Sequence, residues 1–224
     1  VYGTTTNPTI SNTKIVVGSG IGSFSTTTPD LANGTYYFRA FATNSTGTIY
    51  GSQFTERIDL STLGCITIVA SGGVAEGTSS SAWSFSNNTI YPNSSTNLSI
   101  NASDVLNKLS AGNLIITASC ITVSSDISHT TNLKNLNFVS SGNIIVNSGI
   151  TLNGAIGMAG SEIQINENLN TTSGGTNGGI LTKANANISL AANKSITTNG
   201  GDVILWSDQD AANGGTISLL STTS

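Results

Sequence analysis

"LNFVSSGNIIVNSGITLNGA", residues 136–155, decides how the rest of the chain is read. Ile144 and Val146 stand two apart, and another aliphatic, Ile150, follows six residues after the first. The intervals are filled with Gly, Asn and Ser, and the stretch contains no charged residue. Apolar residues at spacing two belong to short strands, and the small polar residues between them belong to bends.

The same arrangement returns on both sides. Aligned on their first apolar residue, the segments 114–135, 136–155, 156–179, 180–201 and 202–224 follow one another at 20 to 24 residues. The middle pair is Ile121 and Val123 in the first segment, then Ile144 and Val146, Ile163 and Ile165, and Ile188 and Leu190. The following aliphatic is Ile127, Ile150, Leu169 and Ile196. A repeat of this length implies a stacked array before any single closed domain. Each segment then makes one layer of about three strands, and each strand pairs in parallel with its equivalent about 4.8 Å away. The expected fold is all-β, with a right-handed parallel β-helix over 114–224 and Ile121, Ile144, Ile163 and Ile188 in one row. Two irregularities are visible. Thr182 and Lys183 give the fourth segment a poor first strand, and "DQDAANGG" is inserted before "TISLL" in the last.

Residues 58–113 read as the lead-in and cap of the β-helix. "CITIVASGG" supplies a first strand, and Trp83, Phe85 and Tyr91 supply aromatics to cover an open end. "SDVLNKLSAG", with Ser103 as cap, Val105, Leu106 and Leu109 on one side and Gly112 as stop, is the one helical candidate. Residues 1–57 differ again: "KIVVGSG", "GSFSTTT", "TYYFRAFAT" and "IYGSQFT" alternate as strands of a sandwich.

Composition excludes several functions. Only 8% of residues are charged, and seven Lys and Arg stand against eleven Asp and Glu, so no basic stripe exists for nucleic acid. No apolar run reaches 18 residues, so no membrane insertion is expected. The chain opens within strand-like sequence and without a signal peptide, which suggests a fragment of a longer protein. Cys65 and Cys120 each precede a similar strand, and either two buried thiols or one disulfide between neighbouring layers fits.

Chemistry-bearing residues are few. His129, the single histidine, reads as a solvated bend residue with no zinc partners. No GxSxG elbow occurs, and Glu162 and Glu167 lack a basic partner in register, so no catalytic site is expected. Asp208 and Asp210 lie in a glycine-bounded bend that could hold calcium. Thr122, Ile145, Gln164 and Ser189, the outward middle positions, are too mixed for an ice-binding face. The Asn-x-Ser/Thr triplets at Asn44, Asn93 and Asn187 follow from composition. Trp83 and Trp206 are the candidate sugar-stacking residues.

Two resemblances sit on these residues. Leu31 and Tyr37 in "LANGTYY" have the spacing of a tyrosine corner. With "YYFRAFATNSTGTIYG" they resemble the second half of a fibronectin type III domain, Asn33 standing where many such domains carry proline. "GNLIITAS", "GNIIVNSGITLNG" and "GGDVILWSDQDAANGGTISL" resemble the β-helical segments of filamentous-haemagglutinin-type adhesins, and the last also the SprB-type gliding-motility adhesins of Bacteroidetes. The resemblances imply a secreted, cell-surface repeat adhesin. Such a segment would be a stiff spacer whose partners are glycans or a substratum and neighbouring modules; the alternative is a discrete carbohydrate-binding module.

Overall fold

The computed structural model describes residues 1–26, 28, 31, 34–212 and 214–220. The protein is all-β apart from one α-helix and short 3₁₀ turns among the described residues. It divides into two compact units, Val1–Asp59 and Leu60–Ser224.

The first unit is a three-stranded antiparallel sheet of β1 (Tyr2–Gly3), β2 (Gly34–Asn44) and β3 (Gly47–Ile58). Phe38 holds it together, its ring 5.7 Å from that of Tyr2 and 6.0 Å from that of Phe54. Arg39 lies over Tyr50 at 4.6 Å and adds a cation–π contact. The strands expected in "KIVVGSG" and "GSFSTTT" do not form over the described residues. Gly18, Gly20 and Gly22 take φ of 156°, 95° and 138°, which breaks the extended run that alternation alone suggested. The proposed corner falls partly on Ala32 and Asn33, which lie outside the described residues.

The second unit carries the repeat. Its lead-in has β4 (Ile66–Val69), β5 (Trp83–Ser86), β6 (Thr89–Pro92), β7 (Leu98–Asn101) and α1 (Ala102–Ala111). Four three-strand layers follow. They are β8 (Leu114–Ala118), β9 (Ile121–Val123) and β10 (Ile127–His129); then β11 (Leu136–Ser140), β12 (Ile144–Val146) and β13 (Ile150–Leu152). Next come β14 (Ile156–Gly160), β15 (Ile163–Ile165) and β16 (Leu169–Gly174), then β17 (Ile180–Ala184), β18 (Ile188–Leu190) and β19 (Ile196–Asn199). A last layer holds β20 (Val203–Trp206) and β21 (Ile217–Leu219).

Strands one layer apart pair in parallel, and they build three sheets in the orders β20-β17-β14-β11-β8-β6-β5, β21-β18-β15-β12-β9-β4-β7 and β10-β13-β16-β19. The expected row is present. Ile121 pairs with Ile144, Ile144 with Ile163 and Ile163 with Ile188, each at most 1% exposed. Ile127, Ile150, Leu169 and Ile196 align in the third sheet in the same way.

The fourth layer corrects the reading of its first strand. β17 keeps register with β14 throughout, with Thr182 buried opposite Met158. Its β-branched side chain suits a strand, and neighbours on both sides fix its place. The insertion in the fifth layer loops out between β20 and β21 without moving the ladder, since Ile188 still pairs with Ile217.

The lead-in holds a displaced strand. By chain order β7 should lie against β9, yet β4 occupies that place and pairs with both. A Cys65–Cys120 disulfide, Cα–Cα 4.5 Å, fastens the residue before β4 to the residue before β9. The helix begins two residues earlier than expected: Asn101, not Ser103, is its N-cap, and Gly112 ends it. It buries Val105 and Leu109 and packs on β10, the edge of the third sheet, where a further strand would otherwise lie.

Candidate functional site

A groove of about 470 Å³ lies beside α1, bordered by the 73–76 loop, Trp83 and the outer side of the helix. Helical spacing creates it. With Val105 and Leu109 turned to the core, Asp104 and Lys108, four apart, share the opposite side with Asn107. Lys108 pairs with Glu76 at 2.7 Å, and its ammonium stands 4.3 Å from the Phe85 ring centroid and 5.8 Å from that of Trp83.

Backbone bonds hold the facing loop in place. Trp83 Nε1 donates to Val74 O at 2.9 Å, Val74 N to Ser99 O at 2.8 Å, and Gly73 N to Asn101 Oδ1 at 2.9 Å. A side chain at Gly73 would meet the Asn101 nitrogen at 2.6 Å, so this close approach requires glycine. Asn101 Nδ2 in turn donates to Asp104 Oδ2 at 3.1 Å. The groove's two carboxylates and its ammonium are therefore already engaged with one another or with the cap of α1.

Trp83 is 1% exposed, so it packs the cap and offers no ring face to a sugar. Trp206 is half exposed, but Lys183, its partner in register, lies 5.4 Å over the ring. The two tryptophans sit at opposite ends of their sheet, on β5 and β20, and form no common platform.

Asp208 and Asp210 lie in the 207–216 loop. Asp208 has φ of 58°, and its Oδ1 is buried with no hydrogen-bond partner. Asp210 is exposed, and its Oδ1 accepts from Ala212 N at 3.1 Å. Calcium takes six to eight oxygens; the described residues gather no group of three or more His, Cys, Asp or Glu.

Two residues were misread from sequence. His129 is not a solvated bend residue. It ends β10, is only 8% exposed, shares a register position with Leu152, and leaves Nε2 without a partner. Glu167 does have a basic partner, Lys194, which hydrogen-bonds it and holds its carboxyl below the usual glutamate range. Each stands two residues before the aligned pair Leu169 and Ile196, so the register already contained that signal.

The chain matches no family model, no curated protein and no solved structure. Its class is set by the fold: an all-β protein whose larger unit stacks parallel strands over an aliphatic interior.

Proposed function

We propose that the second unit is a right-handed parallel β-helix and that the chain is a structural and adhesive segment of a secreted, bacterial cell-surface adhesin of the gliding-motility type. The three-stranded sheet of the first unit is read as the latter part of a fibronectin type III-like sandwich. The segment acts as a stiff spacer and polyvalent contact surface, with no active site of its own. The right hand follows from the strong preference of parallel crossover connections.

One observation carries this reading. Four successive layers keep their first, middle and third strands in register, and the interior between them is filled by Ile, Leu, Val, Phe and Met. Such a stack resists load over many short ladders, each layer leaning on its neighbours. The disulfide supports an oxidising location. Outward positions such as Thr122, Gln164, Ser189, Thr151 and Asn170 give neutral polar surface for weak contacts with glycans or a substratum. Displayed many times along a fibre, such contacts add up by avidity.

A glycan array probed with the single chain and with a multivalent display of it tests this. The single chain should leave no spot saturated, and the multivalent form should be retained broadly. A tight one-to-one complex with one sugar, lost on Trp206→Ala or Lys108→Ala, would make the chain a discrete carbohydrate-binding module instead.

A further inference from the structure

The slot beside β9 on the cap side has two claimants. β4 fills it, and β7 lies one layer further out, against β4. What the two strands present is interchangeable. Ile66 and Leu98 share one register position, Ile68 and Ile100 another, and all four are at most 8% exposed. These positions continue into Ile121 and Val123 of β9. The bonds are equivalent too. Leu98 N donates to Cys65 O at 2.9 Å, and one layer on Ile66 N donates to Cys120 O at 2.9 Å. Asn97, just before β7, accepts Cys65 N on its Oδ1 at 2.8 Å, as Asn187 accepts Thr216 N at 3.0 Å. With β4 gone, Leu98 N has Cys120 O as its acceptor.

Chain order favours β7 in that slot. β6 already pairs with β8, and α1 already packs on β10. With β7 beside β9, the elements β6, β7 and α1 make one layer in the same order as β8, β9 and β10. The link 93–97 from β6 to β7 is longer than the equivalent links 119–120 and 141–143, so it has the slack to reach either slot. β7 ends at Asn101 and β4 at Val69, so pairing with β9 from Ile121 closes a much shorter loop for β7. Two things favour β4 instead. The Cys65–Cys120 bond removes its loop cost. The chain is also fitted to it: Gly64 N donates to Ser94 O at 2.7 Å, and a side chain at Gly64 would overlap Thr96 O.

We propose that the Cys65–Cys120 disulfide is a redox-controlled lock on strand order. Both cysteines are half-buried, at the corner between β8 and β9. A thiolate of an external dithiol attacks one sulfur, and its second thiol resolves the mixed disulfide. Two electrons and two protons pass to the protein, leaving Cys65 and Cys120 as thiols and the reductant as a disulfide. β4 then leaves β9, β7 moves one layer inward into its place, and residues 64–82 are released from the sheet. Reoxidation seats β4 again. The lock rests on the register of β4, β7 and β9 and not on the adhesive reading, so failure of the glycan experiment leaves it standing.

The test reads amide hydrogen exchange strand by strand in the full chain, oxidised and in a dithiol, and in the Cys65→Ser, Cys120→Ser variant without reductant. Breaking the bond should speed the Ile66–Val69 amides by about tenfold or more. The Leu98–Asn101 amides should stay protected, because β7 trades β4 for β9 as its partner. Loss of protection in β4 and β7 together, alone or with the whole stack, would be simple unfolding and would overturn the proposal. Protection kept in β4 would overturn it too. A chemical trap reads the same exchange. Asn97→Cys combined with Cys65→Ser places thiols at positions 97 and 120, two layers apart and beyond bonding reach while β4 is seated. Mild oxidation of the folded chain should join positions 97 and 120 in a peptide map. Thiols that stay free there would contradict the exchange.

Discussion

Thr182 shows how strongly the layers dictate what each residue does. Its hydroxyl is buried without a hydrogen-bond partner between Met158 and Leu205 in the interior row. Thr182→Val keeps the shape and removes the unsatisfied group, so it should stabilise the fold by about 1 kcal/mol, read as a raised denaturation midpoint. Glu167 gives a pH prediction. Its pKa is lowered in the folded chain, chiefly by the hydrogen bond from Lys194, so its stabilising contribution is present above the usual glutamate value of 4.5 and is lost as pH falls through the lowered value. Wild type should exceed Glu167→Gln in denaturation midpoint at neutral pH, by a small margin because the pair is a third exposed. The margin should vanish in acid; one that persisted or grew there would contradict the assignment. Sequence alone placed the inward aliphatics but not these polar residues. His129 and Thr182 look like bend or edge residues by type, and only their position in the register puts them inside.

At the scale of elements, the row through Ile144 is the sharpest claim. Ile144→Asp would place a charge between Ile121 and Ile163 with nothing to pair it, and cooperative unfolding should disappear. A folded, equally stable variant would contradict the register. The Cys65–Cys120 bond encloses a sequence separation of 55, and its loss should cost up to about 4 kcal/mol by loop-closure entropy. Reduction should therefore lower the midpoint of the second unit, with β4 the first strand to lose amide protection, because β4 is the one out of chain order. Strand spacing made β8 to β19 legible in the sequence, since period two and a repeat of 20 to 24 residues leave little choice. The insertion of β4 between β7 and β9 had no such signal: it breaks no local pattern and depends on a contact 55 residues away. Residues 14–26 failed in the opposite sense. Their alternation was visible, but glycines at positive φ prevented the strands it suggested.

For the whole molecule, the proposed spacer function requires that the larger unit carry load as a stack of layers, each leaning on its neighbours. The layering was readable from the repeat and the cap from the aromatics and helical pattern of residues 58–113, while the edges that α1 and the β5–β6 hairpin cover were not, because they depend on strand pairing. The most direct measurement is single-molecule pulling between residue 60 and the C-terminus. Layers of 20 to 24 residues, peeled one at a time, should give a sawtooth with increments of about 80 Å. The part between Cys65 and Cys120 should lengthen only after reduction. A featureless extension at low force, or a single all-or-none rupture with no layer-sized increments, would contradict a layered, load-bearing stack.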